Sequence, residues 1–263
     1  HGVLYSIMEN VKREVDIAWE RYDAVLFDLD GVLTDTAGVH ADCWKRTFDE
    51  FLSRRADRTG DPFQPFDIEG DYRLYVDGRR RYDGVRGFLH SRGIGLPEGS
   101  VDDPPDAETV CGVGNRKNVL VIQALAEGGV EVYQGSVALV RALRKAGVKT
   151  GVVSSSANCA AVLRAAEIEE LFQVRVDGKV AAERQLPGKP APDTFLEAAR
   201  ELGVDAKRTV VVEDAISGVQ AGRNGGFGLV IGIARHDEPD VLREQGADLV
   251  VSDLGEISEP KGG

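Results

Sequence analysis

Val25-Leu-Phe-Asp-Leu-Asp-Gly-Val-Leu-Thr-Asp35 sets a short apolar run against two aspartates one residue apart, with a glycine directly behind them. An apolar run this short, bounded by polar residues, reads as a buried strand. In an open α/β sheet, ligands gather at the carboxyl ends of the strands. Asp28 and Asp30 therefore mark where a site is expected, and Gly31 lets the chain turn sharply there. Two carboxylates this close repel unless a cation or a shared proton relieves them. Magnesium with an anionic phosphate is the simplest relief, because the ion prefers a few carboxylates completed by water and phosphate oxygens. The bland alternative is a strand that ends in two solvated aspartates.

Outward from Ala24–Phe27, five more apolar runs follow: Thr150–Val153, Val174–Val176, Thr209–Val212, Leu229–Ile231 and Leu249–Val251. Helical patterns separate most of them. Val137, Leu139, Val140 and Leu143 make one face, with Ser136 as N-cap and Gly147 as the stop. Phe195, Leu196, Ala199 and Leu202 make another, closed by Gly203. The alternation predicts an α/β fold with a doubly wound, Rossmann-like parallel sheet. Its expected order is 3-2-1-4-5, with the Asp28 strand central. Between Asp30 and Tyr133 no strand pattern occurs. Helices are expected over His40–Ala56, Arg80–Ser91 and Asn118–Glu127, with long loops at Arg58–Gly70 and Gly93–Pro105. This predicts a catalytic core of residues 1–37 and 132–263 carrying an inserted α-helical cap of residues 38–131.

Three more strand ends agree with the first. Gly151-Val-Val ends in Ser154-Ser155-Ser156, whose hydroxyls and backbone N–H groups suit phosphate oxygens; a cluster of N-cap serines is the simpler reading. Thr209-Val-Val-Val ends in Glu213-Asp214, a second pair of hard-metal ligands or two surface acids. Gly188-Lys-Pro-Ala-Pro-Asp193 puts a lysine just before a helix in a loop that its prolines stiffen; a proline-rich helix entry with a solvated lysine is the bland alternative.

The formal net charge is -12, from 44 acidic and 32 basic residues, which argues against nucleic-acid and anionic-membrane surfaces as partners. A small cationic pocket inside such a protein still admits an anionic substrate. No apolar run is long enough to cross a bilayer, and His1–Glu20 has no signal-peptide core. Met8 is the only methionine, so residues 1–7 read as a leader or an unusual start. Cys43, Cys111 and Cys159 fit neither a disulfide framework nor a zinc pattern, so reduced thiols in the cytoplasm are expected. A monomer is expected.

The four segments, in this order, resemble the haloacid dehalogenase superfamily of phosphotransferases. Phe27-Asp-Leu-Asp-Gly-Val-Leu-Thr-Asp35 is similar to its first motif, Ser154 to its second, Lys189 to its third and Glu213-Asp214 to its fourth. The resemblance spans nearly the whole chain after Arg21. Within the superfamily the chain looks most like the β-phosphoglucomutase subgroup, on Asp28–Ala37 followed by His40 and Trp44, and on Val153-Ser-Ser-Ser-Ala-Asn158. Gly78-Arg-Arg-Arg81 looks like the subgroup's phosphate-binding cap loop, and Asn115-Arg-Lys-Asn118 like its second basic element, with Lys117 in the functional place.

The resemblance implies Asp28 as nucleophile, Asp30 as general acid/base, and Ser154 and Lys189 as phosphate-stabilising groups. It implies Mg2+ held by Asp28, Asp214 and the Asp30 carbonyl, with Glu213 directly or through water. It implies a sugar phosphate contacted by His40, Trp44, Gly78, Arg81, Lys117, Ser155, Ser156 and Asn158. The implied reaction converts β-D-glucose 1-phosphate to glucose 6-phosphate. Asp77 stands where the subgroup carries a lysine, and both cap loops are longer. These departures leave a phosphatase of a small phosphate monoester as the alternative. A catalytically silent sensor would need a broken catalytic set, and Asp28, Asp30, Lys189 and Asp214 are all present.

Overall fold

All six apolar runs become strands of one parallel sheet: β1 (Ala24–Phe27), β2 (Lys149–Val153), β3 (Val174–Val176), β4 (Thr209–Glu213), β5 (Leu229–Ile233) and β6 (Leu249–Val251). The structure is a computed structural model and describes residues 15–235 and 239–260. The readings made of the first 14 residues, Met8 among them, and of the last three residues lie outside the described residues.

The strand order is β3-β2-β1-β4-β5-β6, so the expected order holds and the sixth strand adds outside β5. Every residue of β1 is buried, as a central strand covered on both faces must be. Phe27 pairs with Val152 on one side and Val212 on the other. That register places Asp28, the end of β2 and Glu213 side by side at one sheet edge.

Helices cover both faces. On one, Val137, Leu139, Val140 and Leu143 of α4 (Gln134–Lys145) pack on β1 and β2 residues. On the other, α7 (Asp193–Leu202) packs Phe195, Ala198, Ala199 and Leu202. Burying each large apolar side chain is worth about 1.5–3 kcal/mol. Two details correct the sequence reading. Leu196 is 39% exposed, and Ala198 takes its place, because the buried stripe runs i, i+3, i+4, i+7 from Phe195. Ser136 is not the N-cap of α4; it lies inside the helix, and its hydroxyl donates to the Val32 carbonyl at 2.6 Å.

Between β1 and α4 the chain forms a helical layer: α1 (Ala37–Thr59), a π-helical turn at Ile68–Val76, α2 (Arg81–Ser91) and α3 (Val110–Gly128). Gly60, in the left-handed conformation, ends α1. The π-helical turn begins in what reads as loop, and α3 begins at Val110, where Thr109 caps it by accepting from the Gly112 N–H. This layer has its own apolar cluster, in which Phe48 stacks on Trp44 and touches Phe66 and Phe88. The remaining helices are α5 (Cys159–Ala165), α6 (Gly178–Glu183), α8 (Ile216–Asn224) and α9 (Pro239–Glu244). Among the described residues, no helix is long and apolar enough to cross a membrane.

Candidate active site

Asp28 is the first residue past β1, and its N–H donates to the Val212 carbonyl at 3.0 Å. Glu213 closes β4, and Asp214 follows it. Lys189, entering from the loop before α7, is fully buried between them. Its ammonium lies 2.5 Å from Asp28 Oδ1, 2.5 Å from Glu213 Oε1 and 3.2 Å from the Val153 carbonyl. Glu213 Oε2 accepts from the N–H groups of Asp214 (3.1 Å) and Ala215 (3.2 Å), so both its oxygens are engaged.

One oxygen from each of Asp28, Glu213 and Asp214 can lie within 4.8 Å of the others. Burial, and then the neighbouring carboxylates, push the Asp28 and Asp214 carboxyls well above their usual range, although Lys189 opposes this at Asp28. Burial alone would lower the Lys189 ammonium, but the charges of Asp28 and Glu213 outweigh it and raise it. Three carboxylates thus face one firmly protonated lysine. A divalent cation fits this site: the donors are hard oxygens, close together, with negative charge in excess. Gly31 is required where Asp214 approaches. Its φ is +84°, and a Cβ there would lie 1.9 Å from Asp214 Oδ2.

The Asp30 side chain faces the helical layer. It accepts from the Thr36 hydroxyl, and His40 Nε2 lies 3.3 Å away. Burial would raise the Asp30 carboxyl; the charge and hydrogen bond of His40, with the Thr36 hydroxyl, outweigh it and bring it to about 2. Lys117 Nζ lies 2.7 Å from His40 Nδ1 and 5.0 Å from the centre of the Trp44 ring. Burial brings the Lys117 ammonium down to about 8. At that distance the two nitrogens share a hydrogen bond whose direction the imidazole tautomer sets.

A cavity of about 420 Å3 opens between the sheet edge and the helical layer, within the range of small-molecule sites. Asp28, Asp30, Ser154 and Asp214 line its core side, with Ser155, Ser156 and Asn158 from the loop after β2. His40, Trp44, Gly78, Arg81 and Lys117 line the opposite side. Lys189 and Glu213 are buried next to Asp28 and are not part of the wall. Polar contacts hold the two sides together. The Ser155 hydroxyl donates to the Gly78 carbonyl at 2.7 Å, Ser217 to the Asp77 carbonyl at 2.9 Å, and Asn158 to Asn118 Oδ1 at 2.9 Å. Gly78 (φ +65°) has no room for a side chain, since a Cβ would lie 2.4 Å from Ser217 Oγ.

Arg81 begins α2, its guanidinium 4.9 Å from the centre of the Tyr82 ring and its Nη2 donating to the Tyr82 hydroxyl at 3.2 Å. Its Nε is buried and has no acceptor among the described residues. A buried donor left unpaired costs about 1–3 kcal/mol, so an acceptor in the cavity would relieve it. Sequence reasoning missed Thr36, Tyr72 and Asn118 on this site. A hydroxyl six residues beyond Asp30 was a usable signal for Thr36; Tyr72 lies in no motif.

A family model for haloacid dehalogenase-like hydrolases matches residues 22–226. A protein named beta-phosphoglucomutase from Mycobacterium bovis is 51% identical over 241 residues, covering 90% of this chain and 92% of its own length. The beta-phosphoglucomutase of Bacillus subtilis is 30% identical over 235 residues, covering 89% of this chain and 91% of its own. Among solved structures, CbbY from Rhodobacter sphaeroides in complex with phosphate superposes with a TM-score of 0.65 at 26% identity, covering 89% of this chain and 96% of that one. Because the family match runs from before β1 to the end of α8, across Asp28, Ser154, Lys189 and Glu213-Asp214, the chain is a phosphotransfer enzyme and belongs to the haloacid dehalogenase-like hydrolase family.

Proposed function

We propose that the chain is a magnesium-dependent sugar-phosphate mutase that converts β-D-glucose 1-phosphate to glucose 6-phosphate. The observation that carries this reading is the buried, unpaired Nε of Arg81 on the side of the cavity opposite Asp28. One phosphate belongs at Asp28; an orphaned arginine across the cavity suits a second, which a mutase must hold and a phosphatase need not. Support also comes from the name borne by the 51% identical Mycobacterium bovis relative.

In this reading Asp28 attacks the phosphoryl group in line and becomes an aspartyl phosphate. Asp28, Asp214 and the Asp30 carbonyl, with Glu213 directly or through water, would hold Mg2+, which would supply the charge that lets a carboxylate meet a phosphate dianion. Lys189 favours the ionised form of Asp28 against the burial that opposes it, and adds a second positive charge. Ser154 donates to an equatorial phosphate oxygen. Asp30 protonates the leaving sugar oxygen and later takes the proton of the incoming hydroxyl, oriented by His40, Lys117 and Thr36. Residues 38–131 act as a cap that excludes water from the phosphoenzyme while the sugar turns round. Arg81 and Lys117 grip the phosphate that is not reacting, so remote binding energy organises the reacting centre. The buried free thiols of Cys43, Cys111 and Cys159 suit the reducing cytoplasm that this role requires.

Asp77, in the place of the subgroup's lysine, favours a second reading, a phosphatase of a small sugar phosphate. The test is isomerisation of β-glucose 1-phosphate, primed with a trace of the bisphosphate, set beside release of free phosphate. Isomerisation in excess of release supports the mutase; release alone supports the phosphatase.

A further inference from the structure

Arg81 is held by a relay of side chains on the helical side of the cavity. Its Nη2 donates to the Tyr82 hydroxyl at 3.2 Å, and that hydroxyl donates to Asn115 Oδ1 of α3 at 2.8 Å. Asn115 Nδ2 donates in turn to the carbonyls of Val101 at 3.0 Å and Asp103 at 2.8 Å. The direction of the relay is fixed from its far end. Two carbonyls can be met only by the amide NH2, so the Asn115 oxygen must face Tyr82. That oxygen takes the phenolic proton, and the phenolic oxygen keeps its lone pairs for the Arg81 guanidinium.

Packing and charge make the relay necessary. The Tyr82 ring lies against α3 at Gly114, where a Cβ would stand 2.7 Å from it, and the Arg81 guanidinium lies 4.9 Å from the centre of that ring. Lys117 lines the same cavity, and the Arg81 charge disfavours the Lys117 ammonium. Two like charges at one cavity wall repel, so the guanidinium needs a partner to hold it there. With Nη2 committed to Tyr82, the buried Nε is left without an acceptor among the described residues. At the far end of the relay, Val101 is 66% exposed, borders the cavity and belongs to the loop between α2 and α3. The Thr109 hydroxyl ties this loop to Asp103 at 2.6 Å, and Arg86 Nε ties it to Glu98 at 3.0 Å. One amide thus joins a loop at the cavity's edge to the arginine.

We propose that Tyr82 and Asn115 are positioning residues: they hold the Arg81 guanidinium for the phosphate that is not reacting, and they tie its orientation to the loop that borders the cavity at Val101. The inference rests on the reading above, in which Arg81 meets a second phosphate.

The experiment measures binding of β-glucose 1,6-bisphosphate by calorimetry, with saturating magnesium chloride, to the full chain carrying Asp28→Asn. This parent lacks the nucleophile, and the probe offers a phosphate to each side of the cavity. Tyr82→Phe keeps the ring and its packing and removes only the hydroxyl. It is expected to weaken binding about tenfold, the size of one hydrogen bond to a charged group. Asn115→Leu should weaken it by a similar factor, and Arg81→Ala by more. In the Arg81→Ala background, Tyr82→Phe should cost less than about twofold, because a residue that acts through Arg81 has nothing left to act on. A merely structural role would weaken both backgrounds alike. Unchanged affinity in Tyr82→Phe, or an equal loss with and without Arg81, would overturn the relay and leave the second phosphate site standing. Parental affinity in Arg81→Ala would overturn the second-phosphate reading and the relay with it. Absence of binding by the parent itself would overturn the sugar-phosphate reading of the cavity.

Discussion

Lys189→Met removes the one cation among Asp28, Glu213 and Asp214 while keeping the length of the side chain. In the wild type the ammonium makes two contacts of 2.5 Å to carboxylates and is almost wholly buried. Removing one partner of a buried ion pair costs about 3–5 kcal/mol, because the remaining charge stays buried. Two carboxylates lose their partner here, so the upper end of that range applies, against a total stability of about 5–15 kcal/mol. The metal-free variant should therefore unfold at much lower urea than the metal-free wild type at neutral pH. Magnesium should restore part of the loss, since a ligand at about 100 times its dissociation constant adds about 2.7 kcal/mol. The assay is equilibrium urea unfolding followed by circular dichroism, with EDTA and with magnesium. A loss under about 1 kcal/mol, the size of an ordinary substitution, would refute the reasoning, as would an absence of magnesium rescue.

Arg81→Ala removes a charge-assisted phosphate contact worth about 2–3 kcal/mol, so isomerisation should fall about thirty- to a hundredfold; hydrolysis of preformed aspartyl phosphate, measured beside it, should change far less. Chelation with EDTA should abolish turnover and magnesium should restore it, with Asp214→Asn needing more of the ion; a magnesium titration of rate checks both. The metal-free protein should also lose stability as pH rises above the ordinary carboxylate value of 3.8. Folding raises the Asp28 and Asp214 carboxyls above the ordinary 3.8, so their protonated forms stabilise it below that value and the gain vanishes as pH passes their folded values. Melting curves across that window should slope down without metal and flatten with saturating magnesium.

The core was legible because buried parallel strands are continuous apolar runs and their ends carry the polar residues. Asp28, Ser154 and Glu213 each stand at a strand end, and the parallel register alone brings them together. Lys189 was legible from its loop, although its two carboxylate contacts span 161 and 24 residues of sequence. The helical layer was harder to read, because its local signals mislead. The helix expected from Asn118 begins at Val110, and Gly112 and Gly114 lie in the part beyond that expectation. They sit inside the helix where the Ala107 carbonyl and the Tyr82 ring press close. Ser136 is a good N-cap residue by type, but its hydroxyl is taken by the Val32 carbonyl, a tertiary contact invisible in local sequence. The Lys117–His40 contact spans 77 residues and depends on how α1 packs on α3, which neither helix encodes alone.

Covalent transfer to Asp28 is the central claim, and the most direct measurement is the mass of the protein after brief exposure to a sugar bisphosphate with magnesium. The wild type should gain one phosphoryl group, and peptide mapping should place it on Asp28; Asp28→Asn, folded as the wild type, should gain none and turn nothing over. A wild type that turns over without forming the adduct, an adduct on another residue, or substantial turnover by Asp28→Asn would contradict the account.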